Sequence, residues 1–86
     1  MIVLEIVKKI IDEWDPMDLL SIGAPSNEYD IESEKISTRI TRESNTMDIA
    51  KIISDIFSYY FNDSEHFKIE NCLKVAEKID CFINNK

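Results

Sequence analysis

His66 is the chain's one histidine, so any Ser-His-Asp or Cys-His chemistry would have to run through it. It sits in a polar stretch, "NDSEHF", with no cysteine at ligand spacing, and reads as a solvated surface residue. Asp63 and His66 resemble half of a carboxylate-x-x-His pair of the kind that binds two metals inside a bundle. Such a centre needs a second pair and inward carboxylates from further helices, and these are absent. A single Gly excludes both common glycine-rich phosphate loops. "DEWDPMD" lacks the alternation, the Gly and the closing Glu of a calcium loop. Cys72 and Cys81 are nine residues apart in one helical pattern, about 13.5 Å of rise, too far for a disulfide. They are expected to be small core residues. Paired carboxylates could do acid–base work only in a cleft, which a chain of this length rarely spares. The expectation is therefore no enzyme, no cofactor and no metal.

The acids themselves are the more informative set. Formal net charge is −7 over 86 residues, with residues 1–34 carrying nine acids against Lys8 and Lys9. From 11 to 34 there are eight acids and no base, whereas residues 35–86 balance. This sign disfavours nucleic acid, whose backbone is held by Lys and Arg, and favours a basic protein as partner. Asp15, before Pro16, and Asp30 are expected to be helix N-caps, with Asp18 and Glu32 favouring helix N-termini. Asp12, Glu13, Glu28 and Glu34 have no such duty and are the candidate partner-binding residues.

The elements that must position these groups follow from apolar spacing. Val3, Ile6, Val7, Ile10, Ile11 and Trp14 mark a helix over roughly 2–14. Pro16 to Gly23 reads as an extra short helical turn ended by the glycine, and Pro25 keeps Ala24 extended. A second helix is expected over roughly 31–43, with a thin apolar face around Ile36 and Ile40 and a poorly packing Ser33. A third is capped by Asn45 or Thr46 and runs to Phe61. Its apolar residues cover an arc of about 200°, the mark of a central helix. Ile69, Cys72, Val75, Ala76, Ile79, Phe82 and Ile83 are the stripe of the fourth. The fold class is all-α: one domain, 1–86, a small antiparallel four-helix bundle with an extra short helical turn between helices one and two. The apolar N-terminus is broken by Glu5, Lys8 and Lys9, so it reads as mature structure. No stretch approaches the roughly 20 apolar residues of a membrane span, so a cytoplasmic protein without membrane contact is expected.

"WDP-x-x-LL", then "GAP-x-x-EYD-x-E", "DIAKIISDIFSYYF" and "CLKVAEKI" resemble the YugE-like family of small, uncharacterised bacterial proteins over nearly the whole chain. The resemblance implies an all-α fold and no established activity, and it brings no catalytic or binding residues. The chain departs from the family's pattern at Asp18, where Gly is frequent, and at Ile31, where Pro is. The leading functional expectation is a non-enzymatic protein-interaction or regulatory module. An immunity-type inhibitor of a basic toxin is its sharper form, since nuclease-toxin immunity proteins resemble the chain in size, helical character and acidity, though not in motifs. A structural homo-oligomer, joined through Ile52 and Tyr59, is the reading from a different class.

Overall fold

The computed structural model describes residues 3–17, 20–23, 28–41 and 43–84. Four helices, α1 (Val3–Trp14), α2 (Asp30–Arg39), α3 (Thr46–Phe61) and α4 (Ile69–Ile83), form an all-α bundle. α1 packs on α2 and α4, and α3 packs on the same two, so the helices close a four-sided ring in chain order. Their directions alternate. Trp14, at the end of α1, meets Phe57 late in α3 and Phe67 just before α4, while Tyr29, just before α2, meets Phe57 and Phe61. At the opposite end Thr46, the first residue of α3, donates its hydroxyl to Asp80 near the end of α4 at 2.7 Å. Among the described residues there is no strand, and no helix is long and apolar enough to cross a membrane.

Each helix buries the stripe its spacing dictates. Val7, Ile10 and Ile11 come from α1, Ile36 from α2, Ile49, Ala50, Ile53, Ile56 and Phe57 from α3, and Cys72, Val75, Ala76 and Ile79 from α4. Each large apolar side chain fully withdrawn from water contributes roughly 1.5–3 kcal/mol. α3 is not central: like each of the other helices it packs its backbone closely on two neighbours, here α2 and α4, and it meets α1 through side chains such as the Trp14–Phe57 pair. Its wide arc therefore exceeds what its neighbours cover, and Met47, Tyr59 and Tyr60 remain exposed. Phe82 in α4 is likewise exposed.

The ends of the helices follow local chemistry. Asn45 caps α3 in a full capping box: its side chain accepts from the Asp48 amide at 2.8 Å, and the Asp48 carboxylate accepts from the Asn45 amide at 3.2 Å. Asn62 ends α3 in the left-handed region, φ 53°, donating its N–H to the Ser58 carbonyl. α2 stops at Arg39, earlier than the expected 43, with Ile40 extended. Beyond it the Ser44 hydroxyl accepts from the Thr41 amide, and the Thr41 hydroxyl from the Glu43 amide, so side chains compete with the helical ladder.

Candidate functional site

The corner between α1 and α2 is organised by Asp15, in a way the sequence expectation had reversed. Asp15 is not an N-cap. Its backbone turns into the left-handed region, φ 46°, and its N–H donates to the Ile11 carbonyl, so it closes α1 instead of opening a new helix. Its carboxylate then accepts from the amides of Leu20 at 3.1 Å and Ser21 at 3.0 Å, and from the Tyr29 hydroxyl at 2.7 Å. The same hydroxyl accepts from the Met17 amide at 3.2 Å. Burial works to raise the Asp15 carboxyl, but the bonds from Tyr29, Leu20 and Ser21 outweigh it and hold the group below its ordinary value. The expected extra helical turn falls here as hydrogen-bonded turns, the Gly23 N–H donating to the Leu20 carbonyl, with Gly23 at φ 102°. Asp18 and Leu19, and the expected bend at Ala24 and Pro25, lie outside the described residues.

Tyr29 is fully buried and reaches the corner from across an aromatic cluster with Trp14, Phe57, Phe61 and Phe67. His66, exposed as expected, sits edge-on to Phe67, and its Nε2 lies 3.0 Å from the Pro16 carbonyl. The motifs around Trp14-Asp15-Pro16 and Glu28-Tyr29-Asp30 thus join in one structural joint. Asp30 is not an N-cap either. Tyr29 holds that position without a side-chain bond, and Asp30 begins α2 proper and pairs with Lys8 at 2.7 Å.

Of the four candidate acids, the structure gives Asp12 a fold partner, contrary to expectation. Its Oδ2 lies 2.8 Å from Lys8 Nζ, one helical turn away, while its Oδ1 is buried without a hydrogen bond. Hydrogen bonds to Asp12 first, then to Asp30, raise the Lys8 ammonium above its usual range. Glu13, Glu28 and Glu34 are exposed, and their carboxylates have no hydrogen-bond or ion-pair partner among the described residues. Asp12 and Glu13 do not share a face. Asp12 faces the α1–α2 seam through Lys8, and Glu13 is turned about 100° from it on α1. Glu28 lies close enough to Glu32 to affect its charge. Burial pushes the Glu32 carboxyl up, and Glu28 and Asp30 push the same way. Glu32 Oε1 and Ser33 Oγ are buried without partners.

An open groove between α2 and α3, 520 Å³ in volume, was not foreseen from the sequence. Lys35, Arg39, Asp55, Ile56, Tyr59 and Tyr60 line it. Tyr59, 79% exposed, meets Tyr60 edge-to-face with ring centres 5.1 Å apart. Ile52, the companion of Tyr59 in the oligomer reading, is half-buried against the core. The signal in the sequence was the excess width of the α3 stripe. A second groove, 420 Å³, runs between α1 and α4 beside Trp14, Lys74 and Lys78.

No group of three metal-binding side chains gathers among the described residues. Both thiols are free. Cys72 is buried, and burial pushes it up to about 11, but Cys81 is exposed and not in the core. Nine residues at 100° each place it on the opposite face of α4. Residues 6–85 match the family DUF1871, described as a domain of unknown function. No curated protein and no solved structure matches the chain.

Proposed function

We propose that this chain, which belongs to the DUF1871 family, a domain of unknown function, is a non-enzymatic protein-interaction module that presents the acids of α1 and α2 to a basic partner. The YugE-like reading of its motifs and a cytoplasmic location form part of that proposal. One observation carries it. The exposed carboxylates of Glu13, Glu28 and Glu34 stay unpaired, while Lys8 is already engaged by Asp12 and Asp30. Unneutralised charge of one sign costs the compact state some self-repulsion, and it speeds encounter with an oppositely charged protein. Lining these acids against a basic surface would displace their repulsion without dismantling a fold contact.

The reading is tested by placing a photo-crosslinking residue at position 28 or 34 and irradiating living cells that carry the chain. The expected adduct is a basic protein, lost when the two of Glu13, Glu28 and Glu34 that remain beside the crosslinker are changed to Gln. A basic toxin in that adduct would specify the inhibitor form of the reading. An adduct with a second copy of the chain, or one that survives the change of both remaining glutamates, overturns it.

A further inference from the structure

We propose that the α2–α3 groove is a second docking surface, of opposite character, which takes an acidic peptide segment of a partner protein with an aromatic or apolar side chain among its carboxylates. The groove is a positive island in a chain of net charge −7. Two cations, Lys35 and Arg39, face one acid, Asp55. Lys35 has no ion-pair partner among the described residues. The Arg39–Asp55 pair spans 3.9 Å between well-exposed side chains, a geometry that holds the guanidinium only weakly. Arg39 is thus available to grip a carboxylate with two parallel N–H bonds.

The remaining lining supplies the apolar part. Ile56 is 3% exposed at the base, and Tyr59 and Tyr60 stand at the edge, bracing each other. Tyrosine and arginine are among the side chains that most often dominate binding energy, tyrosine because it buries much surface at little entropic cost and keeps a polar tip, arginine because its planar fork binds carboxylates with two bonds. A basic segment would meet Lys35 and Arg39 head on. An acidic one is complementary to these two cations, and repulsion from acids more than about 8 Å away is largely screened at physiological salt. This proposal does not rest on the basic-partner reading.

Two random copolymers, one of Glu and Tyr and one of Lys and Tyr, separate the two surfaces when each is titrated into the isotopically labelled protein and followed by NMR. The Glu–Tyr polymer is expected to shift the amide signals of Lys35, Arg39, Ile56, Tyr59 and Tyr60. Its affinity should fall at least tenfold in the double variant Lys35→Glu, Arg39→Glu and about fivefold in Tyr59→Ser, and should not fall in the Gln variants of Glu13, Glu28 and Glu34. Tyr59→Ser alters a side chain already in water, so it keeps the test valid if the charge reversals disturb folding. No shift at the groove, occupation of the groove by the Lys–Tyr polymer, or undiminished binding by Tyr59→Ser would overturn the proposal. Failure of the Lys–Tyr polymer to engage α1 and α2 would count against the basic-partner reading alone.

Discussion

Tyr29→Phe removes one oxygen atom and should show how much of the fold hangs on the corner. The lost hydroxyl donates to the Asp15 carboxylate at 2.7 Å and accepts from the Met17 amide at 3.2 Å. A hydrogen bond to a charged group contributes about 1.5–3 kcal/mol, a neutral one about 0.5–1.5, and the phenyl ring keeps the aromatic packing. A loss of about 2–3 kcal/mol is expected, a large fraction of the roughly 5–15 kcal/mol that holds a domain together. At about 4–8 °C per kcal/mol for a chain of this size, the melting temperature should fall by more than about 8 °C. Urea titrations and thermal melts followed by circular dichroism would read it. The pH dependence adds a signature. The folded Asp15 carboxyl lies below its ordinary value of 3.8, so its contribution is present above that value and lost as pH falls through the folded pKa. The gap between wild type and Tyr29→Phe should narrow over that acid window. A loss below about 0.5 kcal/mol at pH 7, with a gap that does not change on acidification, would refute the claim that Tyr29 and Asp15 hold the corner.

Ser33→Ala should stabilise the fold by about 1 kcal/mol in urea titrations, because the buried hydroxyl has no partner to lose; a loss would mean that it is bonded. Glu32→Gln should raise stability at pH 7. The folded Glu32 carboxyl sits above its ordinary value, so the wild type is favoured at low pH and loses stability as pH rises through the folded pKa, a slope the variant should lack. Lys8→Met should cost no more than about 1 kcal/mol, since the Lys8 side chain is 37% exposed, and a much larger loss would show the Asp12–Lys8–Asp30 triad to be a main support. With a thiol reagent at pH 8 the native protein should be labelled at Cys81 alone, as mass spectrometry of the digest would show, with Cys72 reacting only after unfolding.

What the sequence made legible was periodic. α1, α3 and α4 lie where apolar residues recur at three and four, because those stripes are wide enough to outweigh local alternatives. The end of α2 was not legible, since Thr41 and Ser44 can either extend a helix or tie down its exit, and their hydroxyls do the latter. Asp15 before Pro16 has the composition of an N-cap, but one of the bonds to its carboxylate comes from Tyr29, fourteen residues on, which no local pattern shows. Lys8 and Asp12 are four apart, so that pair could have been read from spacing, whereas Lys8 to Asp30 depends on how α2 docks. Tyr60 belongs to the α3 stripe and is exposed beside Tyr59, because a stripe records what is apolar, not how many neighbours arrive to cover it. Of the candidate acids, Glu13, Glu28 and Glu34 are exposed as their lack of capping duty suggested, and Asp12 is drawn into the seam.

The steering role of those acids is tested most directly by association kinetics. Wild type and the triple variant Glu13→Gln, Glu28→Gln, Glu34→Gln would be compared by stopped flow against the partner captured from position 28 or 34, over a range of salt. Charges at the rim of an interface act mainly on the on-rate. An on-rate about tenfold or more lower is expected for the variant at low salt, with a flatter dependence on ionic strength and a nearly unchanged off-rate. Equal on-rates with equal salt dependence would contradict the steering role.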